Sequence, residues 1–386
     1  METINHDQLE NMIRRCYHNQ FPLFCYGGFG IGKSQTERKV ARNLSGDRKY
    51  IEWNQISYEE KEEVIENAEE YFVNKDIRLA QMDPSDIHGI PDIDGDSKYL
   101  KWKPPAWAIW SSQPKAEGFL FFDEANLASP AVMKAFYQII HDREIGDISI
   151  SDGVGIISAG NRQKDNAGVT TMPKPLQDRY FEVELKTPTK EQWKEWALDH
   201  NIDSFIISYL EMNRGHLYKP RETQSKLKPA TPRGWEQISD MLAPIDPRPD
   251  AEYLNFIQTS VASRLGEDIA TEFVEFMENS RRINIDDYIN NPESEPIPDE
   301  SDLKWTLISG ITNWYRGLED EEKIGKGLEV SMNVVNNFEH NDYAMNLAHQ
   351  IKSVDEEPFK ENVGQTSVWK GELRDKVQNF LFGDFE

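Results

Sequence analysis

The sequence predicts an α/β protein whose first half contains a parallel sheet and whose second half is largely helical. Residues 22–26 form an apolar run, a glycine-rich loop follows at 27–32, and a helical pattern begins at Lys33. Residues 118–122 form a second apolar run that ends in two acidic residues, which is typical of a fully buried parallel strand. After Pro188 the apolar residues recur at helical spacing over most of the remaining chain.

The glycine-rich loop contains the most specific pattern in the chain. Residues 27–34 read Gly-Gly-Phe-Gly-Ile-Gly-Lys-Ser and fit G-x-x-x-x-G-K-[ST], the pattern of a loop that cradles nucleotide phosphates. Glycines let backbone N–H groups approach phosphate oxygens, and the helix that follows directs its N-terminus at them. A glycine-rich turn that binds nothing is the alternative, which the flanking strand and helix disfavour. We predict nucleotide binding by Gly28, Gly30, Ile31, Gly32, Lys33, Ser34, Gln35 and Asp123.

Two later strands end in polar residues that complement this loop. Asp123 and Glu124 follow the apolar run at 118–122, and Asn161 ends a strand predicted at 155–161. The carboxyl ends of parallel strands meet at one edge of a sheet, where ligands bind. Asp123, together with Ser34, suits Mg²⁺, and Glu124 suits the polarisation of an attacking water. We expect Asn161 to orient that water, and an ordinary turn asparagine is the alternative interpretation.

Composition limits the classes of partner. The net charge of −25 repels phosphate backbones over most of the surface, so bulk nucleic-acid binding is disfavoured. No apolar run reaches the roughly 18 residues of a membrane helix, and the N-terminus lacks the pattern of a secretory signal. We therefore expect a cytoplasmic protein. Cys16 and Cys25 have no C-x-x-C spacing, so core packing is favoured over a disulfide or a zinc site.

Periodicity predicts the remaining elements. Turn signals indicate two hairpins, around residues 92–102 and 144–153, and residues 292–299 read as an acidic, proline-rich linker or exposed loop. The other predicted elements are helices at 6–19, 58–72 (with Tyr71 and Phe72 on the apolar side), 130–143 and 303–318, a strand at 76–82, an amphipathic stretch at 252–279 and a terminal helix at 369–381.

Five short motifs stand in an order that resembles an AAA+ ATPase, and within that group the MoxR family. They lie at residues 82–89, 123–126, 158–161, 176–180 and 231–233, downstream of the glycine-rich loop. The resemblance implies an AAA+ P-loop αβα core with a parallel sheet and β-hairpin insertions, followed by an α-helical lid and a C-terminal helical extension. The implied divisions are an N-terminal helix at 1–19, the core at 20–186, the lid at 187–280, and an acidic linker and helical extension at 281–386.

The resemblance also implies residue roles. Lys33 and Ser34 match the Walker A motif, and Asp123 and Glu124 match Walker B. The implied catalytic residues are Glu124, Asn161 as sensor 1, Arg179 as the arginine finger that reaches the nucleotide of the next subunit, and Arg233 as sensor 2 on the lid. ATP and Mg²⁺ are the implied cofactors, with Ser34 and Asp123 at the metal.

Members of this family form rings, usually hexamers, and remodel or assemble protein complexes. They often act with a partner that has a von Willebrand A-type domain. The leading expectation is therefore a chaperone-like, ATP-driven remodeller of a protein client. The alternative is an AAA+ ring translocase on nucleic acid, which the acidic residues of both hairpins and the net charge disfavour. A small-molecule kinase is a third reading, which the Asp123–Glu124 pair and the arginine motifs disfavour.

Overall fold

The computed structural model describes residues 1–92, 101–162, 172–219, 228–243, 245–246 and 249–366 of the 386-residue chain. The chain divides into two compact units, Met1–Pro188 and a second that begins at Thr189.

The first unit is built on a parallel sheet. Among the described residues, seven strands form this sheet in the order β1-β11-β2-β10-β7-β4-β3, and every neighbouring pair is parallel. In chain order the strands of the unit are β1 (Glu2–Ile4), β2 (Leu23–Tyr26), β3 (Lys49–Glu52), β4 (Tyr71–Arg78), β5 (Ile90–Pro91), β6 (Trp102–Lys103), β7 (Glu117–Asp123), β8 (Glu144–Ile145), β9 (Ile148–Ser149), β10 (Val154–Gly160) and β11 (Phe181–Leu185).

Helices alternate with these strands. They are α1 (His6–His18), α2 (Lys33–Ser45), α3 (Tyr58–Glu66), α4 (Pro84–His88), α5 (Ala106–Ser111), α6 (Pro130–Asp142) and α7 (Lys174–Gln177). The apolar run predicted as a buried strand is the centre of β7, where Phe119, Leu120, Phe121 and Phe122 are all buried. The predicted helices at 6–19 and 130–143 and the predicted parallel sheet are confirmed.

The chain changes direction across the sheet between β2 and β10. After β2 the chain runs to β3 at one edge, whereas after β10 it runs to β11 on the opposite side of β2. Connections that diverge in this way leave a crevice at the carboxyl ends of the two strands, and ligands bind in such crevices. The fold therefore places the loop that follows β2 at the opening expected for a ligand.

Both predicted hairpins have antiparallel strands. Ile90 pairs with Lys103 and Pro91 with Trp102 at the base of the first hairpin, whose residues 93–100 lie outside the described part of the chain. In the second hairpin, β8 pairs with β9. The fold class is thus confirmed: a parallel αβα unit with hairpin insertions precedes a helical region.

The helix predicted at 58–72 ends earlier than expected, and the strand predicted at 76–82 both begins and ends earlier than expected. Helix α3 ends at Glu66, and Tyr71 and Phe72 begin β4, which ends at Arg78. Tyr71 and Phe72 pair with the edge strand β3, and both are buried. Their apolar periodicity is compatible with a helix, so only the pairing with neighbouring strands decides the outcome.

The described part of the second unit is helical. It contains α8 (Lys190–Asp199), α9 (Ser204–Met212), α10 (Pro232–Leu242), α11 (Ala251–Leu265), α12 (Glu267–Ser280), α13 (Ile285–Asn290), α14 (Ser301–Arg316), α15 (Asp320–Glu322), α16 (Leu328–Asn337), α17 (Asn341–Val354) and α18 (Glu356–Asn362). Gly266, with φ +109°, separates α11 from α12 within the stretch predicted as one amphipathic segment.

A single hydrophobic cluster joins the helices of the second unit. It extends from Trp193 in α8 to Val363 just after α18, so helices on both sides of residue 281 share one core. The terminal helix predicted at 369–381 lies outside the described residues. No helix in the described part of the chain is both long enough and apolar enough to cross a membrane.

Gly118 lets β7 lie close to β4, because a Cβ at this position would overlap the carbonyl oxygen of Val73. We expect Gly118→Ala to lower the free energy of unfolding of the first unit by about 3 kcal/mol, since the Val73 carbonyl belongs to paired backbone and cannot move aside easily. Urea or thermal unfolding measures this loss. Gly46→Ala is the control, because Gly46 also has a positive φ but has nothing within 4 Å of the added carbon. An equal loss in both variants would contradict the contact.

Candidate functional site

The glycine-rich loop connects β2 to α2 and depends on two glycines with positive φ. Gly30 has φ +64°, and Gly32, which directly precedes α2, has φ +98°. Residues with a side chain rarely adopt these values. The N–H of Gly27 donates a hydrogen bond of 3.2 Å to the carbonyl of Gly160. The start of the loop is therefore tied to the end of β10, at the carboxyl edge of the sheet.

The first turn of α2 is suited to an anion. It contains Lys33, Ser34 and Gln35 and no acidic residue, so no carboxylate offsets the partial positive charge of the helix N-terminus. Ser34 is buried, whereas Gln35 is exposed. The Lys33 ammonium donates to the carbonyls of Gly27 at 3.0 Å and Gly28 at 2.8 Å, so its side chain folds back over the loop. Backbone donors, a helix N-terminus and a cation thus converge at this loop.

The end of β7 brings two carboxylates to the same edge. Asp123 is the last residue of β7, and its Oδ1 accepts a hydrogen bond of 2.8 Å from the N–H of Glu124. Glu124 has φ +52°, in the left-handed region that non-glycine residues seldom occupy. Strained backbone of this kind is frequent at functional sites. Since β10 lies between β2 and β7, both carboxylates lie two strands from the glycine-rich loop.

Asn161 follows β10 and is held in place by a second asparagine. The Asn126 side chain donates to the carbonyl of Asn161 at 2.7 Å and accepts from its N–H at 3.1 Å, and both residues are buried. A side chain on Gly160 would collide with the Asn126 amide. Asn126 therefore joins the segments that follow β7 and β10. The sequence places Asn126 within a motif, but only the structure shows that it positions Asn161.

A buried acid lies behind the loop, one helical turn into α2. Glu37 is 1% exposed, and one of its carboxyl oxygens accepts a hydrogen bond from the Asn74 side chain of β4 at 3.2 Å. Burial raises the pKa of Glu37 to about 8. Glu37 Oε1 and Asn74 Oδ1 are buried atoms that lack a partner among the described residues. A protonated Glu37 carboxyl would have a hydroxyl donor, and Asn74 Oδ1 is an acceptor, so the chemistry of the two groups suits a neutral acid–amide pair.

Asp76 adds a further negative group beside the site. It lies on β4, which pairs with β7, and it accepts a hydrogen bond of 3.2 Å from Arg38 of α2. Burial, and then the nearby charge of Asp123, raises the pKa of Asp76. Neither Asp76 nor Glu37 belongs to a sequence motif, so the sequence alone does not identify them.

Arg179 is exposed and lies just after α7. Its guanidinium donates to Nε2 of His141 at 2.9 Å, and because Nε2 must then accept, Nδ1 carries the ring proton and donates to Asp142 at 2.6 Å. The next residue, Tyr180, is buried, and its hydroxyl bonds to Ser158 of β10 at 2.8 Å. The side chain of Arg179 is thus presented at the surface on an anchored segment.

Arg233 belongs to the second unit, at the start of α10. The hydroxyl of Thr231 accepts from the N–H of Gly234 at 3.1 Å and caps the helix, as the Thr-Pro pair predicts. Arg233 is exposed, and its charge contributes, after burial, to lowering the pKa of Arg264. Two arginines, Arg233 and Arg264, therefore give the start of α10 a positive charge.

The structure thus brings some predicted residues together and leaves others apart. Residues 27–34, Asp123, Glu124 and Asn161 lie at the ends of the three adjacent strands β2, β10 and β7. Arg179 is bonded to α6, and Arg233 lies in the other unit. Within the described ranges, no three His, Cys, Asp or Glu side chains are grouped to hold a metal ion. The Ser34 hydroxyl and the Asp123 carboxylate would suit Mg²⁺, which completes its coordination shell with water and phosphate oxygens.

Comparisons with known proteins give distant similarities in structure. No protein-family model matches the sequence, and no curated protein matches it either. A mutant of Thermotoga maritima RuvB is similar with 16% identity and a TM-score of 0.35, over 75% of this chain and 74% of that chain. The Aeropyrum pernix ORC2 protein is similar with 14% identity and a TM-score of 0.30, over 90% and 84%.

The raised pKa of Glu37 predicts a stability that falls with rising pH. Below pH 4.5, the ordinary pKa of the group, the folded and unfolded chains are both protonated. Between pH 4.5 and about 8, Glu37 keeps its proton in the folded chain and loses it in the unfolded chain. The free energy of unfolding of the wild type therefore falls as the pH rises through this range. Glu37→Gln keeps the amide contact without the titration. We expect its free energy of unfolding to exceed that of the wild type increasingly over this range, by on the order of 1 kcal/mol per pH unit.

Urea unfolding at about pH 5 and about pH 8 measures this difference. Glu66→Gln, at an exposed position near the end of α3, is the matched control and is expected to show no such trend. A constant difference between Glu37→Gln and the wild type across this range would contradict a protonated Glu37.

Proposed function

We propose that this protein is a Mg²⁺-dependent, ATP-hydrolysing AAA+ protein of the MoxR type that works as a ring and remodels protein complexes. The observation that supports nucleotide hydrolysis best is the meeting of three parts at one sheet edge. The glycine-rich loop, in which two glycines have positive φ, leads into α2. Asp123 and Glu124 lie at the end of β7, and the buried Asn161 follows β10, which lies between β2 and β7. Binding and water activation need these parts side by side.

The residues divide the chemistry among them. The backbone N–H groups at Gly30–Gly32, the start of α2 and the Lys33 ammonium would bind the phosphates. Ser34 and Asp123 would hold Mg²⁺, which supplies charge neutralisation of the phosphates when bound. Glu124 would accept a hydrogen bond from the attacking water and polarise it, and Asn161 would orient the same water. Asn126 keeps Asn161 in position throughout.

Arg179 suits a role on a neighbouring subunit. Negative charge must be stabilised on the γ-phosphate oxygens in the transition state, and an arginine from another chain can supply that stabilisation. The exposure of Arg179, and its support by His141 and the buried Tyr180, are consistent with presentation across an interface. A ring, which we propose to be a hexamer, follows if every chain both binds a nucleotide and lends its Arg179. Arg233 is proposed as sensor 2, on the helical unit that acts as the lid.

A protein client fits the surface better than a nucleic acid. The net charge of −25 opposes phosphate backbones, and the base of the first hairpin exposes Ile90 by 58% and Trp102 by 42%. Exposed apolar side chains of this size suit contact with another protein. A partner with a von Willebrand A-type domain and a cytoplasmic location belong to the same proposal. Strongly salt-dependent stimulation of hydrolysis by DNA or RNA would instead support a translocase.

Variants of Glu124 and Lys33 separate hydrolysis from binding. Glu124→Gln is expected to bind ATP and to hydrolyse it about 10²- to 10⁴-fold more slowly, because the amide cannot accept the proton of the water. Lys33→Ala is expected to lose binding. Steady-state phosphate release and nucleotide titration measure the two effects. Glu117→Gln, at the opposite end of β7, is the control with wild-type turnover. Fast hydrolysis by Glu124→Gln would remove Glu124 from this role.

Mixing of variants tests the role of Arg179 across an interface. Arg179→Ala alone is expected to bind ATP and to lose about 10³-fold or more in turnover, because the transition-state charge is left unpaired. Lys33→Ala cannot bind nucleotide but still carries Arg179. Mixed rings should therefore regain part of the activity, measured as phosphate release against the mixing ratio. Normal turnover by Arg179→Ala alone would exclude the assignment, and Arg48→Ala serves as an arginine control.

A further inference from the structure

The N-terminal segment of the chain lies against the glycine-rich loop. Strand β1 pairs in parallel with β11 at the sheet edge, with Ile4 opposite Leu185. Asn5 then caps α1, with its side chain accepting from the N–H of Gln8 at 2.8 Å. His6 is the first residue of α1. The pairing of β1 with β11 and the Asn5 cap of α1 therefore fix the position of His6.

His6 makes one direct hydrogen bond to the loop. Its Nε2 lies 2.8 Å from the carbonyl oxygen of Ile31. A carbonyl oxygen can only accept, so Nε2 carries the proton and donates it. The ring also lies against Gly32, where an added Cβ would be 3.2 Å from Nε2. The imidazole thus covers the last peptide of the loop before α2 begins.

The peptide that His6 holds also contributes a donor to the loop. The carbonyl of Ile31 and the N–H of Gly32 belong to one planar trans peptide and point in opposite directions. The hydrogen bond from His6 to the Ile31 carbonyl therefore directs the Gly32 N–H away from His6. This restraint matters because a peptide next to a glycine can rotate at little steric cost. The buried side chain of Ile31 fixes the residue itself, but not the direction of its carbonyl.

We propose that His6 is a positioning residue of the nucleotide site, which holds the Ile31–Gly32 peptide so that the Gly32 N–H faces the phosphates. The inference rests on the proposed nucleotide-binding function and extends the site to the N-terminal segment. Its ligand is a nucleoside di- or triphosphate, recognised through the phosphate group. His6 acts through the loop, and a side chain that keeps a donor at this position should replace it.

Substitutions that keep or remove the donor test this role. His6→Leu is expected to weaken ADP and ATP binding about 3- to 10-fold, the worth of one hydrogen bond. His6→Gln, whose amide nitrogen can donate to Ile31, is expected to retain most of the affinity. His18→Leu, at the exposed end of the same helix, is the matched control and should bind as the wild type does. Nucleotide titration of the full chain gives the affinities.

Melting temperatures without nucleotide separate positioning from folding. Under the proposal, the leucine and glutamine variants melt alike without nucleotide and differ in affinity. Wild-type affinity in His6→Leu, or equal losses in the leucine and glutamine variants, would overturn it. Lys33→Ala in the same titration keeps the two proposals distinct. If Lys33→Ala loses nucleotide binding while His6→Leu keeps it, only the proposed role of His6 is wrong. If neither the wild type nor Lys33→Ala binds nucleotide, the proposed nucleotide binding is wrong, and so is the role of His6.

Discussion

The parallel pairing of β10 with β2 on one side and β7 on the other is the constraint on which the site depends. It sets Gly160 beside Tyr26 and Ser158 beside Phe122, so all three strands end at one edge. A slip of one residue in either pair would turn the following polar residues to the other face of the sheet. Close packing supports the pairing, since a Cβ on Gly160 would collide with the Asn126 amide.

A nucleotide site of the proposed kind must attract phosphate in a chain with a net charge of −25. The loop and the first turn of α2 supply donors and a cation and no carboxylate, so the positive charge is concentrated where the anion would bind. Behind them, the raised pKa of the buried Glu37 favours its neutral form, and Arg38 pairs with Asp76 at 3.2 Å. Asp123 and Glu124 then lie where Mg²⁺ and a water would need a carboxylate. At this loop, the local arrangement of donors and of a cation thus outweighs the net negative charge of the chain.

The parts that the sequence predicted are those encoded by neighbouring residues. The loop at 27–34 and the apolar strand before Asp123 are contiguous patterns, and the structure places both as expected. The bond between His6 and Ile31 could not be predicted, because a three-residue strand, β1, brings the segment to the sheet through β11 near residue 183. Tyr71 and Phe72 were assigned to a helix for a related reason. Their apolar spacing fits both structures, and only the partner strands decide between them.

The same contacts connect Arg179 to the loop of its own chain. Arg179 is followed by Tyr180 and then by β11, β11 pairs with β1, and β1 leads within two residues to His6 on the Ile31 carbonyl. If Arg179 senses the nucleotide of a neighbouring subunit, a shift of its segment acts first on β11, the strand that follows it, and on β10, to which the Tyr180 hydroxyl anchors the segment. These contacts give coupling between neighbouring sites a contiguous route, since β11 adjoins both β1 and β2, the strand that leads into the loop.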